Sequence, residues 1–151
     1  MKRWVAVAGV LVLAACREQP YRHYATAAEA VAAGERDGGR LPAWLPPTAE
    51  DVYLQADPEN NRWWLRAKLS RTAADSLRAV LSPIAAESVA VVHPRGGSSW
   101  WFQGLIEQQP ANDGALYSEP FRGTGAPVPR ATIIAFDRGS PDIYAWTTLG
   151  Q

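Results

Sequence analysis

The chain has 151 residues, with 15 Lys and Arg against 15 Asp and Glu, so its formal net charge is zero. That balance, with no clustered basic face, excludes a nucleic-acid footprint. One Cys and two His exclude an internal disulfide and leave too few ligands for a tetrahedral zinc site.

The first element is an export segment. Lys2 and Arg3 form a short basic region, and Trp4 to Ala15 is an unbroken run of apolar and small residues. At ~1.5 Å rise per residue this run covers about 18 Å, short of the roughly 30 Å of a bilayer core. It therefore reads as a removable secretory signal over residues 1–15. The run closes on Leu13-Ala14-Ala15-Cys16, which resembles the lipobox of bacterial lipoproteins. In that family the signal is cut before the cysteine, whose thiol carries a diacylglycerol. The alternative is an ordinary signal cut after Ala14 or Ala15, which would leave Cys16 a free thiol. Residue 17 is Arg. Lipoproteins kept at the inner membrane commonly have Asp there, so the resemblance implies the outer membrane, facing the periplasm. Residues 16–24 read as lipidated cysteine and tether, and residues 25–151 as one domain.

Thr26-Ala-Ala-Glu29 is a capping-box pattern, and Gly34 suits the position just past a helix end. Pro42, Pro46 and Pro47 exclude a helix interior or central strand, so Leu41 to Pro47 is expected as an ordered loop pressed on the core. Thr48 could cap one further helical turn. Val52, Leu54 and Ala56 alternate with Tyr53 and Gln55. Trp63, Leu65, Ala67 and Leu69 alternate with Arg62, Trp64, Arg66 and Lys68. Both runs are half-buried strands, joined as a hairpin through Asp57-Pro58-Glu59-Asn60-Asn61.

Thr72-Ala-Ala-Asp75 opens a second helix with Leu77, Val80 and Leu81 on one stripe, and Ser82-Pro83 ends it. Ser88 to His93 is a short strand candidate, and Pro94 to Ser99 a Gly-rich loop. Trp100 to Gln109 fits helix or loop. Leu116 to Phe121 suits an edge strand. Ala131 to Phe136 and Ile143 to Leu149 are strands joined at Asp137 to Asp142. Together these predict an α+β domain: an antiparallel sheet of four or five strands, with two or three short helices mostly on one face.

Several of these pieces occur together in a known pattern. Tyr24, Thr26, Glu29-Ala30, Gly34, Leu41-Pro42-x-Trp44-Leu45-Pro46-Pro47-Thr48-Ala49-x-Asp51-Val52 and Asn61-x-Trp63 resemble a family of small bacterial lipoproteins, the YbbD head domain-like family. Trp100-Trp101 and Ile143-Tyr144-Ala145-Trp146 resemble its later paired tryptophan and closing aromatic strand. Gly39-Arg40-Leu41-Pro42 departs from it by lacking a Trp between Gly and Pro, and Thr48 stands where Ser is common. The resemblance implies a single envelope domain and transfers no reaction, cofactor or catalytic residue.

The residues themselves mark little chemistry. His23 falls in the expected tether, exposed and inert. His93 with Ser98 or Ser99 and an Asp could form a hydrolytic set, but no nucleophile elbow surrounds them. Asp57 to Asn61 offers several oxygens in a turn, without the Gly and closing Glu of an EF-hand. Arg95 to Ser99 could cradle an anion, without a Walker or dinucleotide fingerprint. No cofactor motif is present. The aromatics are the most suggestive feature. Trp44, Trp64, Trp100 and Trp101 with Arg66 either staple loops to the sheet or form an exposed patch for an envelope protein, peptidoglycan or a lipid surface. The expectation is a membrane-anchored binding or structural module held by lipidated Cys16 and lacking catalysis. An envelope hydrolase with a site near His93, or an inhibitor or immunity-type lipoprotein, are the alternatives.

Overall fold

The structure is a computed structural model and describes residues 21–60, 62–84, 92–94, 99–101, 114–118, 130–137 and 139–149. Cys16 and Ser98 lie outside these residues, as do most of the expected strand at Ser88 to His93 and residues 102–109. The described elements run β1 (Arg22–Thr26), α1 (Ala27–Ala32), β2 (Glu50–Asp57), β3 (Arg62–Lys68), α2 (Arg71–Val80), β4 (Ser82–Pro83), β5 (Gly114–Ser118), β6 (Arg130–Asp137) and β7 (Asp142–Leu149). They form one sheet in the order β1-β2-β3-β7-β6-β5-β4, antiparallel throughout. The α+β class is as expected. β2, β3, β7, β6 and β5 are the five central strands; the five-residue β1 and the two-residue β4 extend the edges.

Alternation assigns each strand residue to a face. Val52, Leu54, Leu65, Ala67, Ile134, Phe136, Ile143 and Ala145 point to one side. There they pack under Ala27 and Ala30 of α1, Leu77 of α2 and Leu41 and Leu45 of the proline-rich loop. Trp64, Ile133, Ala135, Tyr144 and Trp146 point to the other side, where Trp100 and Trp101 cover them. Both helices thus lie on one face, and an aromatic pair closes the other.

Local signals set the ends of α1. Thr26 is its N-cap and its hydroxyl accepts from the Glu29 amide at 3.2 Å. Glu29 reaches back to the Ala25 amide at 3.1 Å, one residue before the usual target. The Ala27 and Ala28 amides donate to Ala49 and Pro47 carbonyls, so the proline-rich loop satisfies donors that a helix start leaves open. At the far end Gly34 has φ +81°, and the Gly34 and Glu35 amides donate to Val31 and Ala30. This Schellman ending needs a left-handed residue, which glycine supplies without a Cβ clash. It also turns Glu35 back toward the sheet.

Four expectations change. Arg22 to Tyr24 are not tether but the greater part of β1, paired with Val52 to Leu54. A strand this short and polar gives no periodic signal, and it covers the otherwise unpaired edge of β2. Pro47-Thr48 is a non-helical turn that leads into β2. α2 is capped by Ser70, whose hydroxyl accepts from Ala73, and begins before Thr72. Its apolar stripe is narrower than expected: Leu77 is buried, whereas Val80 is 65% exposed.

Candidate functional site

A concavity lies where α2 approaches the β6–β7 loop. The chain leaves β3 through Leu69, whose amide donates to the Pro141 carbonyl at 2.9 Å. That bond fixes the loop beside the first turn of α2. Within the loop the Asp137 carboxylate accepts from the Gly139 amide at 2.8 Å. The Ser140 hydroxyl stands 2.8 Å from Oδ2 of both Asp137 and Asp142. A hydroxyl has one proton, so it donates to one of these carboxylates at a time. Asp142 also takes the Arg66 guanidinium at 3.1 Å.

The resulting cleft has a volume of about 430 Å³, inside the range of small-ligand pockets. Leu69, Ala74, Phe136 and Ile143 form its apolar wall, and Arg71, Asp75, Arg78, Asp137, Ser140 and Asp142 its polar one. Arg78 lies over the Phe136 ring at 4.4 Å from its centroid and pairs with Asp75 at 2.9 Å. Among the described residues no histidine or cysteine lines the cleft, so Ser140 has no imidazole base there.

Two ionic clusters hold β1, one on each face of the sheet. On the helix side Glu35 is fully buried and accepts from Tyr24, Arg22 and Arg40. Burial opposes its charge, but the hydrogen bonds from Tyr24, Arg40 and Arg22 outweigh it and hold its pKa below the ordinary value. On the aromatic side Asp51 pairs with Lys68 at 2.9 Å and with His23 at 2.8 Å. The Lys68 hydrogen bond leads in holding the Asp51 carboxyl below its ordinary value. Asp51 sits at a bulge in β2 with φ +52°, a left-handed conformation that Asp tolerates better than most residues.

Of the two readings of the aromatics, the structure follows the stapling one and not the exposed patch. Trp64, Trp100 and Trp101 are only 2–4% exposed. The Trp64 indole donates to the Val92 carbonyl at 2.7 Å. Trp100 stacks on Tyr53 with centroids 5.7 Å apart, and Trp101 meets Trp100, Tyr144 and Trp146 edge-on. Arg66 crosses the Tyr53 and Tyr144 rings on its way to Asp142. Trp44 is half-buried against the helix-side core. Chain distance hid the cause: residues 100 and 101 fold over a face that β3 and β7 present. His23 is not an inert tether residue; it stacks on Tyr53 at 4.2 Å and pairs with Asp51. His93 is half-buried beside Val92 and lies outside the cleft lining, and Ser99 is exposed. Asp57 is a turn organiser, accepting from the Asn60 amide and side chain. Sequence reasoning missed the cleft because its residues come from positions 69–78 and 136–143.

These features define an antiparallel α+β domain with a charged cleft at one end of the sheet. Residues 18–66 match the YbbD head domain family, which supports the resemblance over β1, α1, the proline-rich loop and the β2–β3 hairpin up to Arg66. The later motifs at Trp100-Trp101 and Ile143 to Trp146 lie outside the matched stretch. No curated protein and no solved structure matches the chain. Among the described residues, no helix is long and apolar enough to cross a membrane, and no three His, Cys, Asp or Glu side chains are grouped to hold a metal ion.

Proposed function

We propose that this protein is a membrane-anchored, non-catalytic binding module of the bacterial cell envelope, attached through lipidated Cys16 and binding through the cleft between α2 and the β6–β7 loop. The observation that carries the binding role is the cleft's charge balance. Arg71 has no anionic partner and Asp137 no cationic one among the described residues. A cation and an anion left without ionic partners on an ordered wall are each suited to a ligand's opposite charge. The lipobox-like Leu13 to Cys16 supports the anchor, and Arg17 supports an outer-membrane, periplasm-facing location. β1 opens at Arg22, so at ~3.3–3.6 Å per residue the domain edge stays within about 20 Å of Cys16. A diacyl cysteine would hold it there, since two acyl chains anchor stably.

Membrane fractionation tests the anchor. The wild type is expected in the membrane fraction with lipid mass on Cys16, and Cys16→Ser in the soluble fraction with an unchanged circular dichroism spectrum. Equal membrane association of the two overturns the anchor. Amide hydrogen exchange tests the cleft: a low-molecular-weight envelope extract should protect the first turn of α2 and residues 139–142. No protection there overturns the binding role.

A further inference from the structure

The charges in the cleft also specify the kind of ligand. Among the described residues five charged side chains line it, and internal pairing removes three of them. Asp75 is neutralised by Arg78 at 2.9 Å. Asp142 is neutralised by Arg66, which reaches it from the aromatic side of the sheet. Arg71 and Asp137 remain. Arg71 is the exposed first residue of α2, and its guanidinium has no anionic partner among the described residues. Among the described residues Asp137 is bonded by neutral donors, the Gly139 amide and the Ser140 hydroxyl. Because Ser140 divides one proton between Asp137 and Asp142, that carboxylate pair has room for a further N–H donor.

A simple anion would satisfy Arg71 but face Asp137. A simple cation would satisfy Asp137 but face Arg71. A ligand carrying one ammonium and one carboxylate satisfies both, and leaves its body against Ala74 and the Phe136–Arg78 stack. We infer that the cleft binds a small zwitterion, an amino acid or short peptide with free ends, its ammonium at Asp137 and its carboxylate at Arg71. This rests on the cleft being the binding element, as proposed above.

The test is calorimetric titration of the purified lipidated protein in detergent with dialanine, N-acetyl-dialanine and dialanine amide. Dialanine should bind most tightly, and blocking either end should weaken binding roughly tenfold or more, since one charged contact is lost while its partner stays in the cleft. Arg71→Gln should abolish the preference for the free carboxylate only. Asp137→Asn, which keeps an oxygen to accept from Gly139, should abolish the preference for the free ammonium only. Both variants should keep the wild-type near-ultraviolet spectrum. Equal binding of blocked and unblocked peptides overturns the zwitterion and leaves the cleft a binding site. Absence of binding by all three peptides, with extract-induced protection of the cleft intact, also overturns the ligand class alone. Loss of that protection overturns the binding role itself.

Discussion

The two faces of the sheet hold the same edge strand by different means. On the helix side Tyr24 of β1 meets Glu35, a carboxylate without solvent exposure, and two arginines close over it. On the aromatic side His23 of the same strand meets Asp51, which is 28% exposed and shared with Lys68. A buried carboxylate requires its partners, because an unpaired charge in a low-dielectric interior is costly; an exposed one exchanges them for water at little cost. The covers differ in the same way. The helix side is closed by short helices and a proline-rich loop over mostly aliphatic residues. The other is closed by Trp100 and Trp101, seated edge-on and stacked over strand aromatics.

Substitutions can break this comparison. Trp146→Ala should have the largest effect, about 3–5 kcal/mol in urea unfolding, because Trp146 is fully buried under Trp101. A loss under about 1 kcal/mol would mean that the aromatic face contributes little to the core. Glu35→Gln comes next, at roughly 1–3 kcal/mol near neutral pH. Its pH dependence has a definite sign. The Glu35 pKa is lowered in the folded state, so its contribution is complete above the ordinary value of 4.5 and fades as pH falls through the lower folded value. Thermal melts of wild type and variant should therefore converge in acid; a constant gap would contradict the ionic account.

Asp51→Ala and Asp51→Gly both remove the His23 and Lys68 pairs, but only Ala bears the left-handed strain. The Gly variant should be the more stable by ~1–2 kcal/mol in urea unfolding, and the reverse order would show that the bulge relaxes. Val80→Ser should change stability by less than ~0.5 kcal/mol, since Val80 lies off the packed stripe of α2. A larger loss in the same assay would return Val80 to the core.

Much of the fold was legible because local chemistry and tertiary packing agree there. Alternation in Trp63 to Leu69 placed Leu65 and Ala67 on one face and Trp64 and Arg66 on the other, as found. Thr26, Glu29 and Gly34 marked both ends of α1. Asp57 to Asn61 marked a hairpin that the β2–β3 pairing confirms. β1 was not legible, because Arg22 to Thr26 becomes a strand only where β2 offers an edge. Nor was the burial of Trp64: alternation assigns a side chain to a face but does not say what covers that face. The cleft was hidden for a related reason, since Arg71 and Asp137 are brought to one cleft by the pairing of β3 with β7 and β7 with β6.

The sequence by itself determined the α+β class, the pairing of its hairpins, the ends of α1 and the family resemblance of residues 18–66. These depend on neighbours within a few residues or on strand periodicity, which any stretch of chain carries in itself. Only the tertiary structure decided that Trp64, Trp100, Trp101 and Trp146 lie inside, that Glu35 and Asp51 lock opposite faces of β1, and that Arg71 and Asp137 share a cleft. Those outcomes depend on which distant segment covers each surface, and contacts across the sheet set that.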